Sequence, residues 1–140
     1  MVKLLIIADD FTGALDTGVQ FASRGAVTSV VTDPAYNFSK AAPDVQVLVL
    51  DVETRHLPGE EAYALVYRAV KDALAAGFTN IYKKTDSGLR GNIGAELTAA
   101  LDASGENRLY FVPAFPKIKR ITPRGAVKSY AQNSLQTPAE

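Results

Sequence analysis

A chain of 140 residues, 47% hydrophobic and 21% charged, has the size and balance of one soluble globular domain with its own core. Its 15 Lys and Arg offset its 15 Asp and Glu, so no global field draws it to nucleic acid or to a membrane surface. There is no cysteine, which excludes disulfides, thiolate catalysis and zinc–thiolate sites and fits a reducing, cytoplasmic setting. The single histidine, His56, cannot build a multi-histidine metal centre. Carboxylates suited to magnesium are the only metal ligands left to consider.

Leu4 to Ala8 is an apolar run too short for a signal-peptide core or a membrane span. It reads as a strand buried on both faces, in the middle of a parallel sheet. Asp9 and Asp10 stand at its end, and Thr12 is the expected N-cap of a first helix with apolar positions Leu15, Val19 and Ala22. Ala26 to Thr32 is a second strand, and Asp33 to Asp44, with two prolines and an Asn, is a loop. Val45 to Leu50 is a third buried strand, followed by Asp51, Glu53, Thr54, Arg55 and His56. A second helix begins near Pro58, with Glu60 and Glu61 complementing its dipole. Its stripe is Ala62, Leu65, Val66, Ala69, Val70, Ala73 and Leu74, and Gly77 ends it. Asn80 to Lys83 is a fourth strand, leading into Lys84-Thr85-Asp86-Ser87-Gly88-Leu89-Arg90-Gly91. Asn92 is placed to cap a third helix striped by Ile93, Leu97, Ala100 and Leu101, and Leu109 to Val112 is a fifth strand. From Lys117 the chain turns basic and sustains no period.

Strands alternating with amphipathic helices predict an α/β fold: a doubly wound, mostly parallel sheet in three Rossmann-like layers, forming a single domain. Residues 1–116 make that domain, and 117–140 read as a basic connection. The polar residues gather after strands one, three and four, and in a parallel sheet those ends share one edge, where ligands bind. Carboxylates there accept from hydroxyls, and Arg and Lys grip a carboxylate or phosphate. The implied ligand is a small, polyhydroxylated anion. No Gly-x-x-x-x-Gly-Lys-Ser/Thr loop occurs, and Gly88 to Gly94 does not form the dinucleotide fingerprint. Asp9 and Asp10 are adjacent, which does not fit the Asp-x-Asp-x-Thr of dehalogenase-type phosphatases. A receiver-like regulatory domain is the rival, with Asp9 and Asp10 as its acid pair, Asp51 as phosphoacceptor, Thr85 after strand four and Lys117 after strand five.

Four motifs in order resemble the amino-terminal domain of the four-carbon acid sugar kinases. They are Asp-Asp-x-Thr-Gly-Ala at Asp9 to Ala14 and Asp-x-Glu-Thr-Arg at Asp51 to Arg55. Lys-x-x-Asp-Ser-x-x-Arg-Gly follows, from Lys83 or Lys84 to Gly91, and Pro-Ala-Phe-Pro at Pro113 to Pro116 completes the set. The sequence departs at Gly88, where the family usually carries Thr. The resemblance implies ATP-dependent phosphorylation of a hydroxyl on threonate, erythronate or 3-oxo-tetronate. It implies that this domain holds the sugar acid, while a carboxy-terminal domain absent from this chain supplies most ATP contacts. On that footing the chain is a piece of a kinase, inactive alone. The substrate-binding residues implied are Asp10, Thr12, Arg55, Asp86, Ser87 and Arg90, with Arg55 and Arg90 gripping the carboxylate. Asp9 and Asp10 serve the chemistry, Asp9 at a magnesium ion or the reacting hydroxyl, and Lys84 neutralises the transferring phosphoryl group. ATP and Mg2+ are the implied cofactors, with no metal ligand assigned within this chain and homo-oligomerisation left open.

Overall fold

The computed structural model describes residues 4–131 and 134–136. The expected sheet forms around β1 (Leu4–Ala8), with β2 (Thr28–Val31), β3 (Val47–Asp51) and β4 (Ile81–Lys84) in the order β2-β3-β1-β4. Every pairing in it is parallel. Each side of the sheet has its own core. Leu5, Ile7, Leu48 and Leu50 face Val66, Ala69, Val70 and Ala73 of α2 (Gly59–Ala75) and Ala99, Ala100 and Ala103 of α3 (Ile93–Ser104). Ile6, Ala8, Val47 and Val49 face Ala14 of α1 (Phe11–Ala22) on the other side. Leu5, Ile6, Ile7, Ala8, Val49 and Leu50 have no measurable exposure. Burying each of the larger ones is worth about 1.5–3 kcal/mol, so β1 is the keel of the domain.

The first helix corrects the sequence reading twice. Its N-cap is Asp10, whose side chain accepts from the Gly13 N–H, and Thr12 lies exposed in the first turn. Its expected apolar stripe faces away from the sheet: Leu15 is 44% exposed, Val19 54%, and Ala22 is exposed too. The buried positions are Gly13, Ala14 and Gly18. The reason is close approach. A Cβ on Gly18 would stand 3.4 Å from both Val30 Cγ2 and Val49 Cγ2, so only small residues fit against the sheet. The same preference gives α3 a buried face of Glu96, Ala99, Ala100 and Ala103, with Ile93, Leu97 and Leu101 half-buried beside it.

Two expectations fail near the carboxy terminus. Leu109 to Val112 joins no strand; Tyr110 is 95% exposed and Val112 83%. These residues instead line a cavity of about 420 Å³ with Tyr82 of β4 and Leu97 and Leu101 of α3. The basic stretch read as irregular contains β5 (Arg120–Ile121), β6 (Lys128–Ala131) and β7 (Ser134–Gln136), a small antiparallel sheet ordered β5-β6-β7. Its alternation was hidden by short strands and interspersed Lys and Arg. Residues 132–133 and 137–140 of that stretch lie outside the described residues.

The exposed and buried faces of α1 make opposite predictions. Val19→Lys should change unfolding free energy by less than about 0.5 kcal/mol, whereas Ala14→Leu should cost about 1–3 kcal/mol by overpacking the layer against β1 and β3. Urea denaturation of both variants checks this.

Candidate sugar-acid site

The strand register brings the polar clusters together. Ala8 of β1 is level with Asp51 on one side and Lys84 on the other. The chain leaves β1 toward α1 on one face of the sheet, but leaves β3 and β4 toward α2 and α3 on the other. The crevice between such diverging connections is where open α/β sheets take ligands.

Arg55 reaches into this crevice from the loop after β3. Its Nε donates to Asp9 Oδ2 at 2.8 Å and its Nη1 to Asp10 Oδ2 at 2.5 Å, with the Arg55 side chain 11% exposed. Burial alone would lower the Arg55 pKa, but the two carboxylates more than reverse this and hold the guanidinium charged. The Arg55 N–H also donates to the Asp9 carbonyl, at 3.1 Å. Asp10 has two duties: Oδ2 takes Arg55, and Oδ1 takes the Gly13 N–H at 2.9 Å. A Cβ on Gly13 would lie 2.5 Å from that Oδ1, so the cap exists only with glycine there.

The loop after β4 supplies the second charged fork. Arg90 Nε donates to Asp86 Oδ2 at 2.6 Å and Nη2 to Oδ1 at 3.1 Å, while the Arg90 N–H adds a third bond to Oδ2. Burial would raise the Asp86 pKa, but these donors outweigh it and hold the carboxyl at about 2. The pairing therefore stabilises the fold fully above the ordinary value of 3.8 and loses its contribution as pH falls through 2. The Arg90 side chain is 69% exposed, so the far side of its guanidinium is open to a ligand. A Cβ at Gly88 would meet Asp86 Oδ2 at 2.9 Å, so a threonine there would force this carboxylate to shift. Lys84 Nζ donates to the Thr85 carbonyl at 2.6 Å and stands beside Gly13, 3.4 Å from where a Cβ would lie.

The sequence-predicted site residues thus divide. Asp9, Asp10, Arg55, Lys84, Asp86 and Arg90 share the crevice, and the charges of Asp9 and Asp10 act on Arg90 as well as on Arg55. Ser87 is engaged by the tail sheet, its Oγ accepting from Arg120 Nη1 at 2.8 Å. Thr12 is exposed and, among the described residues, makes no side-chain hydrogen bond with the others. Asp9 is 1% exposed and Asp10 20%, so Asp10 is the acid that a ligand reaches. Sequence reading missed Arg120, Asn92 and Glu96. Asn92 is in the cap position of α3 but makes no side-chain cap bond; its Nδ2 donates to the carbonyls of Thr54 and Leu57. Glu96, fully buried, lies 2.8 Å from Lys83 Nζ, a contact of charges rather than an aligned hydrogen bond. Burial lowers the Lys83 pKa, and Glu96 offsets part of that. A polar residue inside an apolar helix period was the one available signal for Glu96.

A family model described as "Sugar-binding N-terminal domain" matches residues 4–139. The chain belongs to this family. A D-threonate kinase of Salmonella typhimurium is 42% identical over 125 residues, covering 89% of this chain and 29% of the relative. A D-erythronate kinase of Heliobacterium modesticaldum is 38% identical over 130 residues, covering 89% and 29%. A Bordetella bronchiseptica protein, solved with bound citrate as a domain-swapped dimer, superposes with a TM-score of 0.82 at 38% identity, covering 89% of this chain and 32% of that one. The resemblance to four-carbon acid sugar kinases and the parallel α/β class are both borne out. This sugar-binding domain spans about 30% of the length of the curated relatives it matches. The receiver-like alternative loses its footing. Its sheet would run β2-β1-β3, whereas β3 here lies between β2 and β1, and the supposed acceptor Asp51 is 1% exposed. Among the described residues no helix is long and apolar enough to cross a membrane.

Burial, and then the neighbouring Glu53 carboxyl, push the Asp51 pKa from 3.8 to about 6. A raised carboxyl favours the fold while protonated, and that contribution fades as pH rises through 6. Asp51→Asn keeps an acceptor for the Glu53 N–H but carries no charge. Its melting temperature should exceed that of the parent by a few degrees at pH 8 and match it at pH 4; calorimetric scans at the two pH values check the sign.

Proposed function

We propose that this domain holds a four-carbon sugar acid of the threonate, erythronate or 3-oxo-tetronate type, for phosphorylation of one of its hydroxyls. The observation that carries the proposal is the pair of arginine–carboxylate forks in one crevice, in a chain of the sugar-binding N-terminal domain family. Arg90, half-satisfied by Asp86 and open to solvent, is suited to the substrate carboxylate in a bidentate bond. Asp10 and Ser87 offer acceptors to the sugar hydroxyls. Asp10 is also the carboxylate that can take the proton of the attacking hydroxyl, and Asp9 orients Arg55 from beneath it. Lys84, whose ammonium stands beside Gly13 in the first turn of α1, would balance charge on the transferring group.

ATP would supply the phosphoryl group: a hydroxyl oxygen bonds to the γ-phosphorus, the bond to the β-phosphate oxygen breaks, and ADP leaves. The sequence carries no Gly-x-x-x-x-Gly-Lys-Ser/Thr phosphate-binding loop. Nor do the described residues form a group of three or more His, Cys, Asp or Glu side chains able to hold a metal. We propose that the ATP and Mg2+ contacts come from the remaining length that the kinase relatives have, and that the activity is cytoplasmic. Self-association is in keeping with the domain-swapped dimer of the Bordetella protein.

Calorimetry on the 140-residue chain should show binding of D-threonate or D-erythronate without ATP turnover. Asp10→Asn retains an acceptor for Gly13 but loses the charged bond to Arg55, so it should lower the melting temperature and also weaken that binding by about 1–3 kcal/mol, the worth of a bond to a charged group. Arg90→Ala should weaken it at least as much. Unchanged affinity in both variants would remove the crevice from the function.

A further inference from the structure

The first two turns of α3 carry polar side chains that neither cap the helix nor face solvent. Asn92 stands where an asparagine ordinarily accepts from the helix N–H groups, yet its amide is spent on the Thr54 carbonyl at 2.9 Å and the Leu57 carbonyl at 2.8 Å. Those carbonyls belong to the turn that contains Arg55, closed by the Leu57 N–H on the same Thr54 carbonyl. One helical turn later, on the same face, Glu96 meets Lys83 Nζ at 2.8 Å. That ammonium also donates to the Lys84 carbonyl at 2.9 Å, at the last residue of β4. Asn92 and Glu96 thus tie two different loops of the crevice to one rigid element.

Stability alone does not account for this arrangement. A buried ion pair with 3% and 0% exposure is commonly no more stabilising than an apolar pair of the same volume. The seam also leaves Glu96 Oε1 buried without a hydrogen-bond partner, a cost that an apolar seam would avoid. What the polar seam provides is register between the loop after β3 and the end of β4.

We propose that Asn92 and Glu96 are positioning residues of the crevice, clamping the Arg55 turn and the Lys83–Lys84 strand end so that Arg55 stays seated between Asp9 and Asp10. The affinity arm of the test rests on the sugar-acid reading; the second arm does not. In nitrogen-15 spectra, the Arg55 Nε–H, identified by its loss in Arg55→Lys, should exchange slowly with water because it is bonded to Asp9. In Asn92→Ala it should exchange at least about ten-fold faster, and D-threonate or D-erythronate affinity should fall about ten-fold, equivalent to about 1.4 kcal/mol. A merely structural Asn92 would lower the melting temperature and leave both readouts where they were, which would overturn the proposal. Should Asn92→Ala not fold, the double variant Lys83→Met/Glu96→Leu keeps volume without charge. There the proposal expects a retained melting temperature with weakened affinity, and unchanged affinity overturns it. If the parent chain binds none of the four-carbon acids, the sugar-acid reading falls, and Arg55 exchange in Asn92→Ala still decides the clamp.

Discussion

The seat of Arg55 between Asp9 and Asp10 is the constraint on which the rest of this domain depends. Two adjacent carboxylates at the end of a buried strand repel one another, and one of them is 1% exposed. A guanidinium with a flat fork of donors relieves both at once, where a lysine could offer only a point charge. Removing one partner of such a buried pair leaves a charge stranded, typically a loss of about 3–5 kcal/mol. The parallel pairing of β1 with β3 brings the Arg55 loop beside the aspartates, and Gly13 leaves Asp10 room to serve Arg55 and the helix together.

The layers around the site follow from the same geometry. Since β1 has strand neighbours on both sides and helices on both faces, its end is the point where three connections part, and charged side chains can meet there half-shielded from water. Shielding strengthens the Arg55 fork relative to a surface pair, while the exposed Arg90 leaves an approach for a ligand. The cavity beside β4 is lined by Tyr82, Leu97 and Tyr110 together with Lys83, Glu106 and Arg108, and it has none of the paired arginines.

Much of this was legible in the sequence, because buried strands and strand-end acids leave strong patterns. Leu4 to Ala8 reads as a central strand since nothing polar interrupts it, and the motifs at Asp9, Asp51 and Lys83 lead to one edge once the sheet is parallel. The face of α1 was not legible. A search for large apolar residues selects Leu15 and Val19, whereas tight packing on the sheet selects Gly13, Ala14 and Gly18. Asp10 displaced Thr12 as cap because both are good N-cap residues and only the helix start separates them. Leu109 to Val112 has strand composition, but composition does not say whether a partner edge is taken. The partners of Glu96 and Asn92 were invisible because they lie 13 to 38 residues away, and spacing rules reach only along one element.

The central claim is that a small sugar acid sits on the Arg55 and Arg90 forks. Backbone amide spectra recorded while D-threonate and then D-erythronate are titrated into the chain test it most directly. The account predicts saturable shifts concentrated at Asp9 to Gly13, Thr54 to Arg55 and Asp86 to Gly91, with residues around Tyr82 and Tyr110 unmoved. Shifts confined to the Tyr82–Tyr110 cavity, or none with either acid, would contradict it.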